Sequence, residues 1–163
     1  MGLVVFLLVG LLGLGWVLAQ RNSATVGQTS GGTQMAAGGL TGQTDNGRPL
    51  PAEYIAKLQQ EAVPAQLSPE GVQTLDVAVY GETMSYSPKV IKVQQGKPVT
   101  FNLRVEGKDP GCGRFVGIQG LGVHGIATPG EVSQMSFTPN QAGVYQINCG
   151  MQMMEPGYLI VAQ

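Results

Sequence analysis

Two thiols and a run of thioethers are the residues in this sequence best equipped for chemistry. Cys149-Gly150-Met151-Gln152-Met153-Met154 sets one thiol and three thioethers within six residues. The second thiol, Cys112, lies in the glycine-rich stretch Gly111-Cys112-Gly113-Arg114. Soft sulfur donors select soft ions, and Cu(I) is the best match. Zinc is disfavoured, because methionine is a poor zinc ligand and only two thiolates are available. Methionine also fills irregular core space, so each thioether has a packing reading beside its ligand reading. Ligation is favoured by placement: the thioethers follow a strand-ending cysteine in a loop instead of recurring at a core period. A disulfide between Cys112 and Cys149 is the competing reading. Paired thiols of an exported domain are usually bridged, and a bridge closing so long a loop contributes about 3–5 kcal/mol in the chain-entropy model.

Composition narrows the remaining function classes. The chain has 163 residues, with nine basic and ten acidic side chains. That balance lacks the basic face that binds nucleic acid. Charged residues make up 12% of the chain, against about 25% in an average globular protein. A single histidine, His124, excludes a site built from several imidazoles and leaves little for acid–base catalysis. His124 itself reads as a loop or surface residue first and a ligand second. No phosphate-binding loop, dinucleotide fingerprint or nucleophile–base pair is present, so the chain does not read as an enzyme.

The elements that must position these sulfurs read as β-strands. Leu75, Val77 and Val79 alternate with Asp76, Ala78 and Tyr80, and Val99, Phe101, Leu103 and Val105 alternate with Thr100, Asn102, Arg104 and Glu106. Tyr145, Ile147 and Cys149 alternate with Gln146 and Asn148. This period of two sends one face to a core and the other to water. Turn signals at Gly96-Lys97-Pro98, Asp109-Pro110-Gly111, Pro129-Gly130, Pro139-Asn140 and Ala142-Gly143 separate the runs. Some seven short strands within residues 71–163 predict an all-β, two-sheet sandwich. In such a sandwich the Cys112 loop and the loop before the last strand, Gly157 to Val161, can meet at one pole.

Three segments precede this domain. Residues 1–21 carry the uncharged apolar run from Gly2 to Ala19. Its eighteen residues would span roughly 27 Å as a helix, close to a bilayer's hydrocarbon thickness. It reads as a membrane anchor with Trp16 near an interface, or as a signal peptide cut between Ala19 and Gln20. The missing positive n-region and the long apolar core favour the anchor. Either way the domain is expected to be extracytoplasmic, tethered to the membrane or secreted. Residues 22–50 read as a linker, rich in Gly, Ser and Thr and free of aromatic residues over most of its length. As a flexible coil, residues 22–47 would span about 25–30 Å. Residues 51–70 read as a short helix and turn: Pro51 suits the first helical position, Ile55 and Leu58 share a face, and Pro64 stops the helix.

The ordered series Gly96-Lys97-Pro98-Val99-Thr100-Phe101, Gly111-Cys112-Gly113-Arg114-Phe115, Phe137-Thr138-Pro139, Gly143-Val144-Tyr145 and Cys149-Gly150-Met151 resembles the cupredoxin family. The resemblance runs over residues 75–161. It is nearest to small bacterial cupredoxin-like domains and to the copper domain of cytochrome oxidase subunit II. It implies a Greek-key β-sandwich or barrel with copper at one pole. Cys149 takes the family's cysteine position, and Met153 the place of the second histidine of the oxidase-type site. Cys112 lies in the loop that supplies the first histidine. Met151 and Met154 are further candidates. Because neither histidine position holds histidine, the resemblance implies an all-sulfur site that favours Cu(I). Cu(I) holding, delivery or sensing is therefore expected ahead of fast electron transfer, with a membrane oxidase or metal transporter as exchange partner. Two alternatives remain: a metal-free interaction module stapled by a disulfide, and an electron carrier with unusual ligands.

Overall fold

A computed structural model describes residues 40–42 and 47–163. The apolar run at 2–19 and most of the expected linker lie outside the described residues. Among the described residues no helix is long and apolar enough to cross a membrane.

The domain is a two-sheet β-sandwich preceded by one helix, α1 (Ala52–Glu61). The strands are β1 (Val63–Pro64), β2 (Gln66–Leu67), β3 (Gln73–Tyr80), β4 (Ser85–Ser87), β5 (Val90–Gln94), β6 (Val99–Glu106), β7 (Phe115–Ile118), β8 (Val123–Ile126), β9 (Ser133–Phe137), β10 (Gly143–Cys149) and β11 (Gly157–Ala162). One sheet runs β1-β5-β11-β10-β7-β8, and the other β2-β3-β6-β9 with β4 paired to β3. Both sheets are mixed: β5 lies parallel to β11 and β3 parallel to β6, while β10 is antiparallel to both β11 and β7.

The alternation read from β3 and β6 is the alternation observed. Leu75, Val77, Val79, Val99, Phe101 and Leu103 point between the sheets, where they meet Ile91, Val93, Val116, Ile118, Ile147, Cys149, Leu159 and Val161. Phe101 and Phe137 meet edge-to-face, with ring centroids 5.3 Å apart, an arrangement that suits the ring quadrupoles. Gln73 is the polar exception at the inner end of β3. Its side-chain amide donates to the carbonyl of Gln94 (3.1 Å) and its carbonyl accepts from the Gln94 N–H (2.6 Å). The buried amide is thereby paired, and it ties the two sheets at the pole away from Tyr80.

β10 departs from the expected half-wet pattern. Val144 and Gln146, on its outer face, are buried as well. For Val144 the cause is a second apolar layer, in which Ile55 and Leu58 of α1, with Leu40 and Leu50, cover Val90, Val144, Tyr158 and Ile160. Tyr54 stands edge-on to Tyr158. Leu40 and Leu50 come from the end of the segment read as linker. They are held by backbone bonds from the Val144 N–H to the Thr41 carbonyl and from the Leu50 N–H to the Gly42 carbonyl, both 2.8 Å. β11, central in its sheet and covered on both sides, is therefore apolar almost throughout: Gly157-Tyr158-Leu159-Ile160-Val161-Ala162.

Candidate metal centre

Sheet register brings the sulfurs together. β10 pairs antiparallel with β7, with Cys149 opposite Val116, Asn148 opposite Gly117 and Ile147 opposite Ile118. A short 3-10 turn, Gly111–Arg114, leads directly into β7. Continued past the end of the ladder, the same register aims the residues after Cys149 back over that turn and sets Met153 against Cys112. The Cys112 Sγ and the Met153 Sδ are 3.8 Å apart. Cys149 lies fully buried at the inner end of the loop. Its carbonyl accepts the Gln152 N–H (2.9 Å) and its Sγ accepts the Met153 N–H (3.2 Å). The sulfur thus fastens the backbone that carries Met153, so Cys112, Cys149 and Met153 form one chain of contacts.

The other two methionines part company. Met151 is 66% exposed and Met153 57% exposed, whereas Met154 is 4% exposed and belongs to the inter-sheet core. Met154 turns downward beneath the 3-10 turn. A Cβ on Gly113 would lie 2.6 Å from its Sδ and 3.0 Å from the Pro110 Cβ. Glycine at 113 is therefore required by a close approach. Gly113→Ala is expected to cost about 1–3 kcal/mol by overpacking and to lift Cys112 away from Met153. A thermal melt together with a metal-affinity measurement checks both effects.

The loop's far end is also pinned. The Glu155 N–H donates to the Met84 carbonyl (2.6 Å), and the Lys89 ammonium pairs with the Glu155 carboxylate. The Tyr158 N–H then donates to the Lys89 carbonyl (2.8 Å) as β11 begins. The residues flanking β4 thus brace the stretch between Cys149 and β11. Tyr86 of β4 is a neighbour that sequence reasoning missed. It is buried in the same core cluster as Cys149, and burial, with the Cys149 charge as a second cause, pushes its phenol well above the usual tyrosine value. No motif marks it. Its only sequence signal is an aromatic residue in a short polar strand.

Both cysteines are free thiols, so the Cys112–Cys149 bridge is not formed. Cys112 Sγ is turned to the Met153 thioether instead. His124 is exposed on β8, opposite Gly117. Among the described residues no three His, Cys, Asp or Glu side chains converge. The donors that do converge are sulfur, and the Cys112–Met153 spacing suits a metal. Two metal–sulfur bonds of about 2.3 Å meeting at a tetrahedral angle hold their sulfurs about 3.8 Å apart. A half-buried thiol, a buried thiol and an exposed thioether make a soft, low-coordinate set that fits Cu(I).

Residues 58–161 match the family model of the cupredoxin-like domain. Among solved structures, the chain is 31% identical to a copper-binding protein determined in solution in its apo form. That match covers 61% of this chain and 96% of the other, with a TM-score of 0.54. It is 24% identical to the metal-binding domain of the Cu(I)-exporting P-type ATPase CopA of Streptococcus pneumoniae D39, determined with Cu(I). There it covers 63% of this chain and 96% of the other, with a TM-score of 0.55. No curated protein matches the chain. With a family model spanning most of its length and a sandwich of the corresponding architecture, the chain belongs to the cupredoxin-like domain family.

Proposed function

We propose that this protein holds Cu(I) at the sulfur-rich pole and releases it to a partner. The observation that carries the reading is the meeting of Cys112 Sγ and Met153 Sδ at 3.8 Å beside the Cys149 loop. The 31% identical relative described as copper-binding supports it. Cys112 and Cys149 supply the thiolates and Met153 a thioether. Copper bound there would be a monovalent ion in an all-sulfur shell, which disfavours Cu(II) and with it cycling between oxidation states. Met154 acts from below, setting the height of the Cys112 turn.

Exposure favours delivery over sequestration. Met151 and Met153 stand in solvent. An incoming thiol can reach the ion from that side without unfolding the loop. Met151 is placed to serve as an entry ligand. The N-terminal apolar run at 2–19 would tether the domain on the extracytoplasmic side of a membrane, where an oxidase or a metal transporter is the fitting donor or acceptor.

Titration of the reduced full-length chain with Cu(I), in competition with a colorimetric chelator, tests the reading. One tightly held Cu(I) with X-ray absorption showing sulfur neighbours only is the expected result. Copper that remains on the chelator, or a shell of nitrogen and oxygen, overturns it.

A further inference from the structure

The hydroxyl of Tyr86 is buried and has no hydrogen-bond partner, which is an expensive arrangement for a polar group in a core. The residue is 4% exposed and sits on the inward side of β4, opposite Val79 of β3. A Cβ on Gly157 would lie 3.4 Å from the edge of its ring. Gly157 pairs with Ile147, two residues before Cys149 on the same strand, and both Tyr86 and Cys149 lie in one core cluster. The ring is therefore anchored beside the strand that ends in the buried thiol.

The Cys149 Sγ has one donor directed at it, the Met153 N–H at 3.2 Å. A cysteine sulfur that ligates a metal does so as thiolate. One Cu(I) on two thiolates carries one net negative charge, and on the Cys149 side that charge is taken out of water. Buried charge needs hydrogen-bond donors, and ligating atoms are commonly held by such outer partners.

We propose that Tyr86 is a positioning residue for the metal site, whose buried hydroxyl donates to the Cys149 thiolate once Cu(I) is bound. This inference rests on the copper reading above. The partnerless hydroxyl is then a donor held ready for the ligating thiolate. The phenol stays protonated throughout, so the role is hydrogen-bond donation and not proton transfer.

Tyr86→Phe keeps the ring and removes only the hydroxyl. In the reduced full-length chain it is expected to leave the metal-free melting temperature equal or higher, because a partnerless buried hydroxyl is lost, and to weaken Cu(I) affinity about tenfold or more. In the parent protein, the Tyr86 hydroxyl proton resonance is expected to move downfield and resist solvent exchange on addition of Cu(I). A Tyr86→Phe affinity within about twofold of the parent, with an unmoved hydroxyl resonance, overturns the inference. So does a metal-free variant that melts clearly lower with affinity falling in step, which would assign the residue to packing alone. Cys149→Ser separates this from the copper reading. Copper lost in Cys149→Ser but kept in Tyr86→Phe overturns the Tyr86 role only, whereas parent-like copper binding in Cys149→Ser overturns the site itself.

Discussion

Cys149→Ser is expected to lower Cu(I) affinity by more than about a hundredfold, beyond the tenfold to hundredfold typical of losing an outer partner of a metal ligand. Serine keeps the size of the side chain but offers a hard oxygen where a soft ion wants sulfur. The loss has two parts. One thiolate disappears, and the Met153 N–H that donates to Cys149 Sγ at 3.2 Å is left facing a shorter-reaching oxygen, so the segment bearing Met153 loosens. Cys112→Ser removes a thiolate but keeps the Met153 N–H bond to the Cys149 Sγ. Its deficit should therefore be large but smaller than that of Cys149→Ser. Chelator competition on the two variants reads the difference. Equal affinities for all three proteins would show that neither thiol holds the metal.

Leu58→Ala is expected to cost about 2–5 kcal/mol, the range for truncating a fully buried leucine. Leu58 and Ile55 are 2% exposed and form the apolar face of α1 laid over Val90, Val144, Tyr158 and Ile160. The helix is only ten residues long, too short to persist in water without tertiary contacts. Losing this anchor should undock the helix and wet the outer face of β11. The sulfur pole lies on the inter-sheet side, so copper affinity measured below the lowered melting point should stay at the parent value. Denaturant unfolding gives the first quantity and chelator competition the second. A copper deficit in Leu58→Ala would mean that the outer layer and the pole are coupled.

The parts of the fold legible in the sequence were those with a one-sided environment. β3 and β6 each bury one face, so their alternation reads directly. β11 is covered on both sides, so it shows an unbroken apolar run in place of a period of two. Gln146 misled as well: a glutamine at an outward position reads as solvent-facing, and in the structure it is buried. At the site, the convergence of Cys112 with the loop after Cys149 was legible, because strand order and loop position place both at one pole. The split among Met151, Met153 and Met154 was not. Adjacent residues in an irregular loop point in unrelated directions, and the gap beside Gly113 that receives Met154 exists only once both segments are in place. Tyr86 was invisible for a related reason, since its orphaned hydroxyl is defined by what surrounds it.

The central place of β11 has a consequence for biosynthesis. Val90–Gln94 and Gly143–Cys149 are neighbours only through Gly157–Ala162, which pairs with one on each side. A ribosome makes that bridging segment after every other strand it joins. Until synthesis has passed Ala162, the six-stranded sheet exists as two halves with raw edges, one of them ending in the buried thiol. Contacts of such long sequence separation form late and slowly. The sheet therefore cannot close until the Gly157–Ala162 strand is inserted between its two neighbours.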